Sequence, residues 1–549
     1  MSPERRPDDR GGRPRREDGG RRDGGHRNDR GHQRSGSRGQ GGPRRGWSQQ
    51  RPSERGRRST GSRQVAFEGL RAVREDDAYA NLVLPSLLRR HRLSGRDAAF
   101  TTELFYGSLR AQGRLDAVIA ACTDRRLEDV EPALLDVLRL GAYQLLDMAV
   151  APHAATSETV ALARAEVGTG AASFANAILR RVGEKDLDTW MAEVAPDPEQ
   201  DLVGHLAVVH SHPRWVVRAL GDALAAHGRD RAELPALLEA QNAAPGVSLV
   251  MRPGLTDLDE LIDGGASVAA LSILGASWPS GDPGGLDAVK EGRAAVQDEG
   301  SQLMALALAL GADELVTAED DRHWLDLCAG PGGKTAVLGG LTLEHDAELL
   351  ATEVQEHRRE LVERAVATLV EAGCEITTRT ADGTTLGAEQ PGRFSRVMAD
   401  VPCSGLGALR RRPESRWRRS PGDIGQLGVL QRELLGSALD ATAPGGVVAY
   451  VTCSPHLAET RLVVADVLRR REDVEQLDAR EAVRAGVLPA RQDEVELGEG
   501  PAVQLWPHVH GTDAMFIALL RRTGGTATGS TGSGATDTDT ARPEEGSRP

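Results

Sequence analysis

Residues 324–335 read Trp-Leu-Asp-Leu-Cys-Ala-Gly-Pro-Gly-Gly-Lys-Thr, and this order of residue types decides the fold. Trp324-Leu-Asp-Leu327 is a short apolar run of strand character, Cys328 to Gly333 is small and glycine-rich, and a helical stretch opens behind Lys334. Glycines at 330, 332 and 333 let the backbone turn tightly and approach a ligand closely. Two phosphate-binding loops are excluded by single positions. A P-loop needs glycine five residues before the glycine of Gly-Lys-Thr, and Cys328 stands there. The dinucleotide fingerprint G-x-G-x-x-G needs glycine where Thr335 stands.

The same strand–loop–helix rhythm continues downstream. Leu349-Leu-Ala-Thr352, Ile376-Thr-Thr378, Arg396-Val-Met-Ala399 and Val447-Val-Ala-Tyr-Val451 are short apolar strands, and helical stretches such as 358–372 and 427–441 separate most of them. Residues 301–522 are therefore expected to form an α/β domain, a mostly parallel sheet with helices on both faces. Ligands of such sheets bind outside the carboxyl ends of the strands.

The chemistry-bearing residues fall at those ends. Glu353 closes the second strand, where a carboxylate can accept hydrogen bonds from ribose hydroxyls. Asp382-Gly383 closes the third. Asp400-Val-Pro-Cys-Ser-Gly-Leu-Gly407 closes the fourth and Tyr450-Val-Thr-Cys-Ser-Pro455 the fifth, with Glu459 beyond it. Cys403 and Cys453 thus converge on one crevice. Read as residues alone, they are a catalytic pair, buried structural thiols or a disulfide. Arg410, Arg411, Arg412, Arg416 and Arg418 follow Cys403 and form either a phosphate-contacting surface or a solvated face.

Upstream, apolar spacing is helical from about Ser62 to Val182, which predicts a helical bundle of domain extent 62–195. Residues 196–300 are mixed, with helices followed by short strands, and are expected to be a small α/β subdomain. Residues 1–61 and 523–549 have too little apolar content to offset their ordering entropy and are expected to be disordered tails.

The net charge of −14 over 549 residues argues at first against a nucleic-acid partner, but it is unevenly distributed. Residues 1–61 hold 18 arginines against 8 acidic residues, a local +10 that leaves about −24 for the rest. Such an arm is an RNA contact or a solubilising tail. Lysine occurs only at 185, 290 and 334, so Lys334 within the glycine loop stands out. No apolar run suits a membrane span. The five cysteines show no metal-ligand spacing, so free thiols, a reducing cytoplasm and no metal are expected.

Two resemblances follow from these motifs. Ala78-Tyr-Ala-Asn81, Phe105-Tyr-Gly107, Leu138 to Tyr143, Pro152-His153 and Phe174 to Arg181 are similar to the NusB-type RNA-binding domain, with Ser157-Glu158 where that family usually has Asn-Glu. The resemblance implies phosphate contacts from Arg63, Arg180 and Arg181. Residues 326–335, 400–407, 450–455, Val296 to Gln302 and Asp513 to Phe516 resemble RsmB/Sun-type RNA cytosine-5 methyltransferases. That family's Rossmann-like fold implies that Cys328, Ala329, Gly330, Pro331, Gly332, Gly333 and Lys334, with Glu353, Asp382 and Asp400, hold S-adenosylmethionine. Glu353 stands where most relatives carry Asp. The resemblance further implies that Cys453 attacks carbon 6 of a cytosine, Asp400 stabilises the ring, and Cys403 assists release. DNA cytosine methyltransferases use the Pro-Cys cysteine instead, so the assignment rests on which family the chain matches. A methyl group on carbon 5 of a cytosine in small-subunit rRNA is then the expected product, made by a monomer with Arg410, Arg411 and Arg412 on the RNA. The alternatives are a tRNA substrate, or an antitermination or ribosome-assembly factor without catalysis.

Overall fold

The structure is a computed structural model that describes residues 52–279 and 281–524, with the backbone path alone for 52–60. The expectations for residues 1–51 and 525–549 lie outside the described residues. Helix α1 (Pro52–Glu75) begins ten residues ahead of the boundary expected at 62. Proline at the first helical position loses no hydrogen bond and is already set at helical φ.

Helix α1 is followed by α2 (Ala80–Arg90), α3 (Gly95–Arg110), α4 (Gln112–Ala121), α5 (Pro132–Leu146), α6 (Pro152–Glu166), α7 (Thr169–Val182) and α8 (Leu187–Val194). Their apolar stripes meet in one core that includes Phe67, Leu104, Phe105, Leu138, Leu162, Leu179 and Trp190. Trp190 donates its indole N–H to the Val182 carbonyl at 2.9 Å, which ties α8 back onto the bundle.

Helices α9 (Leu202–Val209), α10 (Arg214–Ala226) and α11 (Leu234–Asn242) lead into a small sheet of β1 (Val247–Met251), β2 (Ser267–Val268), β3 (Gly275–Trp278) and β4 (Ala294–Val296). The sheet is antiparallel in the order β2-β3-β1-β4, and short helices α12 (Leu258–Asp263) and α13 (Asp287–Lys290) lie in its connections. This agrees with the mixed subdomain read from the sequence.

The large sheet begins after α14 (Glu299–Ala309). It contains β5 (His323–Asp326), β6 (Glu348–Glu353), β7 (Ile376–Thr380), β8 (Phe394–Asp400), β9 (Thr442–Thr452), β10 (Val474–Leu477), β11 (Val503–Gln504) and β12 (Phe516–Arg522). Helices α15 (Gly333–Leu341), α16 (Glu356–Glu371), α17 (Leu386–Glu389), α18 (Ser415–Arg418), α19 (Pro421–Ala441) and α20 (Arg461–Leu468) connect these strands. The order is β10-β12-β9-β8-β5-β6-β7, with β11 on β12. Strands β5 to β9 pair in parallel, and β12 and β10 add antiparallel edges.

The central strands are apolar on both faces because both faces are covered. Val447, Ala449 and Val451 enter the core shared with Leu303 and Leu306 of α14, whereas Val448 and Tyr450 enter the one shared with Leu434, Leu435 and Leu439 of α19. Each such leucine contributes about 1.5–3 kcal/mol by leaving water. Chain order reverses between β5 and β8, which makes their carboxyl ends the switch point where doubly wound sheets take their ligands.

Candidate active site

The loop at that switch point is pinned from both sides. Leu327 N–H donates to the Met398 carbonyl on β8 and Ala329 N–H to the Thr352 carbonyl on β6, each at 2.9 Å. Gly332, with φ of 106°, turns the chain into α15, and a Cβ there would stand 2.6 Å from that of Ala365 on α16. Any side chain at this position would therefore force the loop and α16 apart. Beneath the loop, Thr335 donates its hydroxyl to Asp326 at 2.7 Å. Burial, with the nearby Asp400 adding to it, lifts the Asp326 carboxyl to about 7 against the opposing Thr335 bond.

Glu353 lies buried at the end of β6. It accepts the Gln355 N–H at 3.1 Å and pairs with Arg358 at 3.3 Å, while Arg358 also donates to the Gly330 carbonyl at 2.8 Å. Two carboxylate oxygens offer about four acceptor sites, so hydroxyl donors still find lone pairs there. Asp382 is exposed beyond β7, and its Oδ1 takes both the N–H and the hydroxyl of Thr384. A ligand at the loop would also meet Gln297, whose amide lies 3.4 Å from the position of a Cβ on Gly333 and whose buried Oε1 has no hydrogen-bond partner among the described residues. An unpaired buried acceptor beside a glycine cradle suits a ligand that brings a donor, such as the ammonium of an amino-acid moiety.

The two cysteines meet as their strands dictate. Asp400 ends β8 opposite Val451 of β9, so Cys403 and Cys453 leave neighbouring parallel strands side by side, with their sulfurs 3.3 Å apart. Both are partly exposed and neither is in a disulfide. Burial pushes the Cys122 thiol up to about 11 and also raises Cys328 and Cys374. The shared hydrogen bond and burial raise Cys403. Cys453 alone among the five is lowered: the bond from Cys403 does most of this, and Arg412 and Lys334 help against burial and Asp400. The two sulfurs thus share one hydrogen bond, with Cys453 the member whose acidity is raised and Cys403 the member whose acidity is suppressed. Lys334 donates to Asp400 at 2.7 Å. Burial works against its charge, but Asp400 and then Cys453 more than compensate and keep it an ammonium.

Glu459, which the sequence marked without a role, organises both cysteine loops. Fully buried, it accepts the Ser404 N–H at 2.7 Å, the Ser404 hydroxyl at 2.5 Å and the Ser454 hydroxyl at 2.6 Å. One carboxylate thus fixes the residue that follows each cysteine. The legible signal was the Ser after Cys in both motifs, two hydroxyls needing one acceptor. Gly407 completes the clamp by donating to the Cys453 carbonyl at 2.9 Å, and a Cβ there would collide with the carbonyl of Ala514.

The arginine run requires correction. Arg410 is buried, bonded at 2.8 Å to both Asp298 and Asp513, and Arg411 bonds Asp298 at 2.7 Å. These two arginines join the Val296–Gln302 and Asp513–Phe516 motifs beneath the site and do not present themselves to phosphate. Arg416 is fully buried against the Ser211 carbonyl and Asn242, and Arg418 donates to the Val73 and Ala78 carbonyls. Arg412 differs: its guanidinium has no carboxylate or carbonyl partner among the described residues and lies 5.0 Å over the Tyr79 ring. In the helical bundle Arg63 is buried and donates to Gln144 at 2.7 Å, so it too is structural. Arg180 and Arg181 are exposed, although Arg181 also donates to the Cys122 carbonyl.

These features define a class: a doubly wound α/β domain with two facing cysteines beside a glycine-rich loop at the switch point, preceded by a helical bundle. Residues 314–521 match the family described as 16S rRNA methyltransferase RsmB/F, and residues 60–184 match the NusB family. A Mycobacterium tuberculosis protein designated a methyltransferase, Rv1407, is 50% identical over 465 residues, 84% of this chain and 96% of that one. Ribosomal RNA small subunit methyltransferase B of Klebsiella pneumoniae is 28% identical over 472 residues, covering 83% and 97% of the two chains. The crystal structure of PH0851 superposes with a TM-score of 0.68 over 84% of this chain and 99% of that one, at 20% identity, which supports the shared fold. The chain belongs to the RsmB/F family of methyltransferases and carries a NusB-family helical domain at its front.

Proposed function

We propose that the protein methylates carbon 5 of a cytosine in small-subunit rRNA, with Cys453 as the nucleophile. The observation that carries this reading is geometric: the sulfurs of Cys403 and Cys453 lie 3.3 Å apart at neighbouring strand ends, with the Lys334–Asp400 pair at the end of the same strand as Cys403, and Cys453 is the thiol of the pair that is lowered. The substrate class is suggested by the family, described as 16S rRNA methyltransferases, and by the K. pneumoniae relative, a ribosomal RNA small subunit methyltransferase.

The residues present fit S-adenosylmethionine: the 328–334 loop and Gln297 would take its amino-acid end, and Glu353 and Asp382 its nucleoside. Bound there, it supplies an electrophilic methyl group. Carbon 5 of cytosine is a poor nucleophile, and Cys453 remedies this by adding its sulfur to carbon 6. The electron pair displaced from the 5,6 bond runs toward N3, where the proton held between Lys334 and Asp400 can be donated and the developing charge neutralised. Once carbon 5 has gained its methyl group, a base removes the carbon-5 proton. The resulting electron pair re-forms the double bond and expels the Cys453 sulfur, with Cys403 beside it to assist release.

Methyl transfer to naked small-subunit rRNA, followed by bisulfite mapping, tests the proposal. Cys453→Ala is expected to abolish transfer, by at least about 10³-fold, while Cys403→Ala should accumulate a denaturant-resistant protein–RNA adduct. Full activity in Cys453→Ala would refute the assignment, and modified cytosines found in tRNA alone would move the substrate.

A further inference from the structure

One side chain of the helical domain meets the arginine segment that leads out of the cysteine loop. Tyr79 stands at the amino end of α2, about two-fifths exposed (41%), an unusual position for an aromatic ring. Two arginines from the catalytic half lie over its ring, Arg412 at 5.0 Å and Arg418 at 5.8 Å. The backbone connects this ring to the nucleophile in a few steps. The Cys453 carbonyl accepts from Gly407, and one turn on, Arg412 N–H donates to the Ala408 carbonyl at 2.9 Å.

The position of Tyr79 is held from both domains. Glu414 accepts the Ala80 N–H at 3.1 Å, and Arg418 grips the Ala78 and Val73 carbonyls at 2.6 Å each. The residues on either side of Tyr79 are therefore fixed by the segment that also carries Cys403. Of the five arginines in the 410–418 run, four are engaged with carboxylates or carbonyls, and Arg412 is the one without such a partner among the described residues. A part-exposed aromatic ring beside a guanidinium that has no hydrogen-bond partner among the described residues is the composition of a single-strand nucleic-acid platform: the ring stacks a base and the cation meets its phosphate.

We infer that Tyr79 and Arg412 together bind the nucleotide flanking the target cytosine, with Tyr79 stacking its base and Arg412 contacting its phosphate. The inference rests on the proposed function for the identity of the substrate, and it assigns the helical domain a share in the active site itself. Unstacking a target base leaves its neighbour without a partner, and a platform at that point offsets the loss.

The test compares Tyr79→Leu, Tyr79→Phe and Arg412→Gln with the wild type. Binding of the full-length protein to naked small-subunit rRNA is read by filter retention without S-adenosylmethionine, beside thermal melting of each variant. Tyr79→Leu should weaken binding about tenfold, in line with the stacking free energy of one base. Tyr79→Phe, which keeps the ring, should restore it. Arg412→Gln should weaken binding and flatten its salt dependence. When transfer is measured, the Tyr79→Leu defect should fall on KM for RNA, and an abasic residue beside the mapped cytosine should abolish the difference between Tyr79→Leu and wild type. The inference is overturned if Tyr79→Leu binds as wild type, if Phe fails to restore binding, or if the defect persists undiminished on the abasic substrate. Binding is read without chemistry, so a wild type that binds rRNA but transfers no methyl group would sink the enzymatic reading and leave this one standing.

Discussion

At the scale of single residues, the site turns on one hydrogen bond between two sulfurs. The bond from Cys403 is the largest influence lowering Cys453, and Arg412 and Lys334 act in the same direction. Thiolate reactivity should therefore appear below the ordinary thiol range, near 8.5. The sign is fixed: a lowered acid is deprotonated at lower pH, so alkylation of Cys453 by iodoacetamide should rise at lower pH than for an ordinary thiol. Removing the donor in Cys403→Ala should move that rise to higher pH. Mass-spectrometric rates across pH 6–10 check this, and an unchanged midpoint in Cys403→Ala would mean that the neighbouring cations do the work. The convergence of Cys403 and Cys453 was legible because each stands in a short motif at a strand end. Their asymmetry was not, because the 3.3 Å contact spans 50 positions of sequence.

At the scale of elements, strand ends and tight loops carry the site, and here the sequence was most informative. The central strands β5, β8 and β9 sit where short apolar runs ended in Asp or Cys, since a strand covered on both faces has no polar alternation to blur it. The glycines of the 330–333 loop were also legible as a close backbone approach. Gly407 was visible as a glycine, but its reason was not, since its neighbours are the carbonyls of Cys453 and of Ala514, from two other strand ends. Gly407→Ala should destabilise the protein by about 1–3 kcal/mol, the usual range for a forced overpacking. Chemical denaturation measures this, and a loss under 0.5 kcal/mol (roughly the scatter of neutral substitutions) would show that the loop yields. Helix α1 runs ten residues ahead of the helical spacing read from about Ser62, because Pro52 to Gly61 lacks an apolar stripe.

At the scale of the whole molecule, the charge pattern misled most. Five arginines in nine residues read as a surface, yet Arg410 and Arg416 are buried and Arg411 is tied to Asp298. Their partners lie some hundred to two hundred positions away, beyond the reach of any local pattern. Asp298 and Asp513 both face Arg410 at 2.8 Å. Asp513→Ala would leave a buried guanidinium half-paired, and such losses cost about 3–5 kcal/mol. A fall in the urea midpoint without a change in slope is the expected result. A midpoint within error of wild type would show that Asp298 alone suffices.

The segment from Ala408 to Ser420 runs out of the cysteine crevice, locks into Asn242 and Ser211, and ends on the carbonyls of Val73 and Ala78. Its consequence concerns modularity. The catalytic half is not a cassette that can be cut out or grafted behind another recognition domain, because excision would bare the Arg416 and Glu414 side chains to water and loosen the peptide on which the reactive sulfurs are aligned. Swapping specificity between such proteins would require the front domain and this strap to be exchanged as one block.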